Sequence, residues 1–465
     1  MLSASCSPAD IQRTERTLCI VDPTLTGEGG HSLAYNLLLA RLATSFSRVE
    51  IFADKGFRAK TCAQPHAQPH VSWHASLNGL RLHNLQARLG PWLGKLKRPP
   101  TFAAPLDFRF SAKDAWAPTQ LPFLLAKRLR ALDLSFCLRR LVKARLPHTR
   151  ELHLLFQNAG MEELFCLESL HRLLKAHAHT FRVHLLFRHA PQRTCARVAT
   201  LARLAHMLQQ QGTLPYVHMY TDTEALSAAF HALVQLPGQF KTLPVPFLIP
   251  QLPPQRHPGT FRLGMLGPPR MEKGFGFLPT LLGILPAKAG ERPLELLVQT
   301  EASGGSAEVR AAMAMLEAYA QNTPSPEALK LCLLPGPLDA KAYASCFATL
   351  DCALALHASP KYAASSSGIF VEALHLGVPS IVFAGTWMGK LICQAATEGL
   401  HIGLCVETLG EVPAAVERIA QAQAAFSEAI AKYLLSNAWR FSPTLLAQTL
   451  FGQAGPAEGN GANPC

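Results

Sequence analysis

Apolar residues in this chain come in short unbroken runs separated by stretches with helical spacing. Thr17-Leu18-Cys19-Ile20-Val21 is such a run, closed by Asp22-Pro23 and a glycine-rich turn. Residues 32–44 then follow a helical period, and Val49-Glu50-Ile51-Phe52 reads as a second strand. Runs without alternation belong to strands buried on both faces, the mark of a parallel sheet covered by helices. The pattern returns as a strand over 152–156, a helix over 161–176, a strand over 183–187, a helix over 196–210 and a strand over 217–220. This order predicts an α/β domain over 16–245.

Six prolines between Pro244 and Pro258 interrupt regular structure, and a hinge is expected over 246–259. A second alternation begins beyond it, with strands expected over 261–266, 294–299, 329–334, 352–356 and 379–383. It predicts a second domain over 260–410, followed by helices over 411–452 that cross back. Residues 1–15 and the Gly/Asn/Pro-rich 453–465 read as disordered ends. The expected fold class is α/β, with two doubly wound, Rossmann-like domains.

With 49% hydrophobic and 16% charged residues in 465, the chain has the material for real cores, which excludes a disordered or fibrous protein. The net charge of +13 is local: residues 81–150 hold 15 Lys/Arg against Asp107, Asp114 and Asp133. Such a basic insertion suits an anionic membrane face, a phosphorylated substrate or nucleic acid. Within it, Leu125, Leu129, Leu132 and Phe136 keep helical spacing among Lys127, Arg128, Arg130, Arg139, Arg140, Lys143 and Arg145. That is an amphipathic basic segment fit for an anionic leaflet, or a domain helix with a solvated cationic face. Its aromatics form no nucleic-acid module, so no nucleic acid is expected.

The twelve cysteines show no Cys-x-x-Cys pair, which predicts reduced thiols and no metal site. His66, His70 and His74 recur every four residues, but Pro65 and Pro69 forbid a helix there, and a polar loop is expected. No segment has a signal-peptide core or a run of about 18 apolar residues. A cytoplasmic protein with at most peripheral contact to the inner membrane face is expected.

Three segments carry candidate chemistry. Gly27-Glu28-Gly29-Gly30-His31 sits between the first strand and its helix, where glycines let backbone N–H groups approach an anion; a tight turn uses the same residues. Gly264-Met265-Leu266-Gly267-Pro268-Pro269-Arg270-Met271-Glu272-Lys273-Gly274 places two cations three residues apart after a strand, fit for a diphosphate or for any solvated loop. Ser365-Ser366-Ser367-Gly368-Ile369-Phe370-Val371-Glu372 opens a helix that Gly377 ends before Pro379. Hydroxyls and free amides there suit a sugar or phosphate, and Glu372 a ribose; the alternative is a capped helix with an early acid.

In this order and separation the three segments resemble the retaining GT-B glycosyltransferases. Gly29-Gly30 matches that family's N-terminal glycine loop. Gly267, Arg270 and Lys273-Gly274 match its Gly-Arg…Lys-Gly loop. Ser367-Gly368 through Glu372-Ala373 and Gly377-Val378-Pro379 match the Glu-x7-Glu region and the Gly-x-Pro after it. The resemblance implies two domains facing a cleft and transfer of a hexose from a UDP- or GDP-linked donor, with retention and without a metal or cofactor. Its acceptor would be a lipid-linked sugar, polysaccharide or other glycan. Arg270 and Lys273 would hold the diphosphate and Glu372 the ribose, with Gly29, Gly30, Gly267, Ser366, Ser367, Gly368 and Ile369 lining the donor site. His189, after the 183–187 strand, would stand near the donor sugar. One departure is plain: the first Glu of Glu-x7-Glu is Ala364 here. A catalytically silent scaffold binding an anionic membrane or nucleic acid through 81–150 is the alternative.

Overall fold

The computed structural model describes residues 15–23, 25, 31–54, 70–77, 121–189, 195–234, 240–249, 252–301, 306–322, 329–336, 338–357 and 360–452. Gly29, Gly30, His66, most of the basic insertion before 121 and the outermost residues at both ends lie outside them. The chain divides into two units between Leu243 and Pro244, except that residues 31–34, at the start of the first helix, group with the second unit and residues 447–452, at the end of the last helix, with the first.

The first unit runs β1 (Glu15–Asp22), α1 (His31–Leu42), β2 (Arg48–Asp54), β3 (Val71–Leu77), α2 (Leu121–Arg145), β4 (Thr149–Phe156) and α3 (Met161–Ala176). It continues with β5 (Phe181–Phe187), α4 (Cys195–Gln210), β6 (Val217–Thr221), α5 (Glu224–Val234) and β7 (Phe240–Thr242). All seven strands are parallel in the order β3-β2-β1-β4-β5-β6-β7. The order reverses between β1 and β4, which opens a crevice at their carboxyl ends. Leu18, Cys19, Ile20 and Val21 of β1 are all buried, as an unbroken apolar run requires.

One expectation needs correction here. Residues 71–77 form β3 instead of a polar loop. His74 stacks on Phe52 at 4.6 Å with its Nε2 3.9 Å from Glu50. In α2 the inward face is Leu134, Leu138 and Val142, so Leu132 and Phe136 stand 62% and 70% exposed. Arg145 is not a free surface cation either. It and Arg48 pair with the buried Glu50 at 2.7 and 2.6 Å, while Arg139 bonds the Ser169 carbonyl.

One face of β4, β5 and β6 is mostly apolar, but the other carries a buried polar chain. His153 Nδ1 lies 2.9 Å from His184 Nε2, and His184 Nδ1 3.2 Å from the Tyr220 hydroxyl. The His153 and His184 rings stack at 5.1 Å, His184 stacks on His218 at 5.0 Å, and Phe46 caps His153 edge-on. Burial holds His184 neutral, aided by the neighbouring histidines and Arg182, and pushes His153 down to about 4.

The second unit runs β8 (Phe261–Met265), α6 (Leu278–Ile284), β9 (Lys288–Ala289), β10 (Arg292–Glu301), α7 (Ala307–Asn322), β11 (Lys330–Gly336), α8 (Ala340–Ala348) and β12 (Cys352–Ala355). It ends with α9 (Gly368–His375), β13 (Ser380–Phe383), α10 (Trp387–Thr397), β14 (Gly403–Val406), α11 (Val412–Gln421), α12 (Gln423–Ser436) and α13 (Pro443–Phe451). Its parallel order is β11-β10-β8-β12-β13-β14, with β9 antiparallel on β10. The reversal again falls beside the first strand, between β8 and β12. The fold class is therefore the one expected, two doubly wound parallel sheets. Among the described residues no helix is long and apolar enough to cross a membrane.

Candidate functional site

Two loops meet at the carboxyl ends of β8 and β12, where the strand order of the second sheet reverses and where open α/β sheets take ligands. The first follows β8. Gly267 has φ 101°, and its N–H donates to Gln299 Oε1 at 2.7 Å. A Cβ on Gly267 would lie 2.9 Å from Ile369 Cδ1 and 3.8 Å from Lys273 Nζ, so Gly267, Lys273 and Ile369 come together here. The loop then makes a one-turn helix over Met271–Lys273, which Gly274 ends in the left-handed region at φ 88°. A Cβ on Gly274 would sit 2.2 Å from the Leu356 carbonyl oxygen. Only glycine lets the two loops touch there.

The second loop follows β12 and leads into α9. Ser367 caps this helix, its Oγ accepting from Phe370 N–H at 3.4 Å. At the other end Val378 N–H bonds Ala373 O at 2.9 Å and Gly377 N–H bonds Leu374 O at 3.0 Å, with Gly377 at φ 66°. That is a Schellman stop, where the sequence places it. Ser365 and Ser367 are buried, Ser366 and Gly368 half-buried, and Arg270 exposed.

Glu372, one turn inside α9, is 1% exposed and accepts from the Tyr343 hydroxyl at 3.0 Å. Burial pushes its carboxyl up to about 8, against the Tyr343 bond and the charge of Lys273. Burial and the neighbouring Arg270 pull the Lys273 ammonium down to about 8, while Glu372 and Glu272 oppose the shift. Arg270, Lys273 and Glu372 thus belong to one electrostatic neighbourhood, although 102 positions separate the first from the last.

The sequence did not single out the other members. Tyr343 comes from α8, and His357 follows β12 with its ring 4.2 Å from that of Tyr362. Burial, with the charges of Lys273 and Lys361, drives His357 down to about 3. Its place just past a predicted strand was the one available signal.

His189 belongs to the first unit, after β5. Beside it Arg188 Nε donates to Gln157 O at 3.0 Å, and its guanidinium covers the Tyr35 ring at 4.2 Å. At the first sheet's own reversal point Asp22 accepts from Asn36 Nδ2 at 2.9 Å and from Gln157 Nε2. Among the described residues no group of three or more His, Cys, Asp or Glu side chains is placed to hold a metal ion.

No family model and no curated protein sequence matches the chain. Solved structures do. WaaG, a glycosyltransferase involved in lipopolysaccharide biosynthesis, superposes with a TM-score of 0.55 at 12% identity, over 94% of this chain and 100% of its own. A trehalose-6-phosphate structure from E. coli bound with UDP-2-fluoro glucose gives 0.59 at 14%, over 94% and 98%. An α,α-trehalose-phosphate synthase (UDP-forming) from Burkholderia vietnamiensis gives 0.57 at 11%, over 94% and 97%. Identities this low speak for architecture alone, and along nearly its whole length the chain has the GT-B fold of these glycosyltransferases.

Proposed function

We propose that the protein transfers a hexosyl group from a UDP- or GDP-linked sugar to a glycan or lipid-linked acceptor, with retention at the anomeric carbon. The observation that carries this reading is the meeting of Lys273, Gly267 and the capped start of α9 at the reversal point of the second sheet. A diphosphate there meets the Arg270 fork, the Lys273 point charge and the free amides of α9. As the bond from the anomeric carbon to the diphosphate breaks, those cations take up the leaving charge. The acceptor hydroxyl bonds to the same face of the carbon, and its proton passes to a phosphate oxygen. Stabilisation of the departing diphosphate is then the main catalytic contribution.

The test is thermal stabilisation by UDP-, GDP-, ADP- and dTDP-sugars. A ligand at about 100 times its dissociation constant adds roughly 2.7 kcal/mol. Arg270→Ala and Lys273→Ala should each weaken the nucleotide sugar that binds by about a hundredfold, since each removes a charge-assisted contact. Unchanged affinity in both variants sinks the phosphate assignment. A panel without any binder supports the silent scaffold.

A second observation favours a membrane-bound acceptor. Arg128, Leu132, Phe136, Arg140 and Lys143 follow one another at helical spacing along α2, and all are exposed. Two apolar side chains flanked by cations match an anionic leaflet, each cation near the surface adding on the order of 1 kcal/mol. Leu132→Glu with Phe136→Glu should abolish sedimentation with phosphatidylglycerol-containing vesicles, and Arg140→Ala with Lys143→Ala should reduce it. Equal sedimentation of all variants removes the membrane from the reading.

A further inference from the structure

Strand β12 delivers one polar group to the donor site that the mechanism above leaves unused. His357 is 2% exposed, and its Nδ1 has no hydrogen-bond partner among the described residues. Ser365 Oγ, in the same stretch before α9, is likewise buried and without a partner. A polar atom buried in this way is costly to keep in an empty site and points to something that satisfies it. The groups facing His357 narrow the choice. Lys273 acts on it from the β8 loop and Lys361 from its own, both positive, while Tyr362 lies against its ring. Arg270 and Glu272 stand beyond Lys273, as does Glu372, whose carboxyl is mostly protonated at neutral pH.

We propose that His357 binds the diphosphate of the donor and takes up a proton as the diphosphate enters. The inference rests on the donor reading above. Without the donor, burial, reinforced by the charges of Lys273 and Lys361, keeps the imidazole neutral. Two phosphate charges reverse the local sign, and the protonated ring then donates a charge-assisted bond to a phosphate oxygen. A sugar hydroxyl or a nucleobase brings no charge and gives no such uptake.

The experiment is calorimetric titration at pH 6.5 in PIPES and in imidazole, buffers of different ionisation enthalpy. The probe is UDP-glucose, or GDP-mannose, ADP-glucose or dTDP-glucose where that is the sugar nucleotide that binds. None of their phosphates titrates near neutrality, and Lys273 is already charged at this pH. Wild type should take up about half a proton or more. His357→Gln should bind about tenfold more weakly at pH 6.5 with no uptake, and the difference should close by pH 8.5, where the imidazole is neutral in both states. His357→Phe, which keeps the packing on Tyr362, should lose uptake and affinity while melting with wild type in the absence of ligand. Binding without proton uptake, or uptake that persists in His357→Gln, overturns the role of His357 and leaves the donor reading standing. Absence of binding by all four probes overturns both.

Discussion

Gly274→Ala is expected to destabilise the second unit by roughly 3–5 kcal/mol and to abolish stabilisation by nucleotide sugars. Two costs add. A left-handed residue with a side chain costs about 1–2 kcal/mol by itself. The new methyl would also lie 2.2 Å from the Leu356 carbonyl oxygen, and that oxygen belongs to backbone at the end of β12. It cannot rotate away as a side chain would. Either the β8 loop or the strand end must shift, and both carry the site. At about 2–4 °C per kcal/mol for a unit of this size, the melting temperature should fall by roughly 10 °C. Gly283→Ala is the control. It lies inside α6 with nothing within 4 Å of its Cβ position, and should gain about 0.5–1 kcal/mol from helix propensity. Equal melting of Gly274→Ala and wild type would mean that the two loops do not touch.

Glu372→Gln should make the ligand-free protein more stable and the site less able to bind. The folded state holds the Glu372 proton to about pH 8, whereas an unfolded carboxyl releases it near 4.5. With the folded value raised, the stability contribution is complete below pH 4.5 and drains away as the pH rises through 8. By pH 8 the loss amounts to about 4 kcal/mol, of which about 3 falls between pH 5.5 and 8. Glutamine has the same shape and can still accept from Tyr343, but it does not ionise. The variant should therefore lose little stability between pH 5.5 and 8, and exceed wild type by roughly 1–3 kcal/mol at pH 8. Lys273, lowered to about 8, works in the opposite sense, and only above that pH. The variant's affinity for a nucleotide sugar should fall, because the carboxyl group that meets vicinal hydroxyls and, once ionised, steadies Lys273 is gone. Denaturant unfolding of both proteins at the two pH values decides it. A stability difference that does not change with pH would place an ordinary carboxyl at this position.

Both sheets were legible in the sequence wherever a strand was dominated by an apolar run that stands between helical stretches, as in Leu18–Val21 or Cys352–Ala355. Two strands without such a run were not. Gly403–Val406 has four residues, one of them glycine, and Val71–Leu77 interleaves serine and histidine beside prolines. In the candidate site the loop cations and the start of α9 were visible because each is a local pattern of turn glycines, charges and a cap. Tyr343 and His357 were invisible for the converse reason. Tyr343 is 29 positions from Glu372, and only the packing of α8 beside α9 joins them. His357 has only its place just past a predicted strand to mark it before β12 is set next to β8. Exposure of Leu132 and Phe136 was equally hidden, since apolar spacing gives a helix a face without saying which way that face turns.

The polar chain through His153, His184 and Tyr220 bears on how the first sheet chooses its own alignment. On the apolar face of β4, β5 and β6, leucine, valine, methionine and phenylalanine meet one another. Sliding a strand by two residues would exchange one such contact for another of similar worth. The opposite face is less forgiving. His184 pairs directly with His218 across β5 and β6, and it bonds His153 on one side and Tyr220 on the other. A slip by one residue turns these side chains into the wrong layer, and a slip by two leaves buried nitrogens and a hydroxyl without partners. The histidines thus act as a key that fits one alignment: their burial adds little attraction, but it raises the energy of the near-misses that the leucines alone would accept.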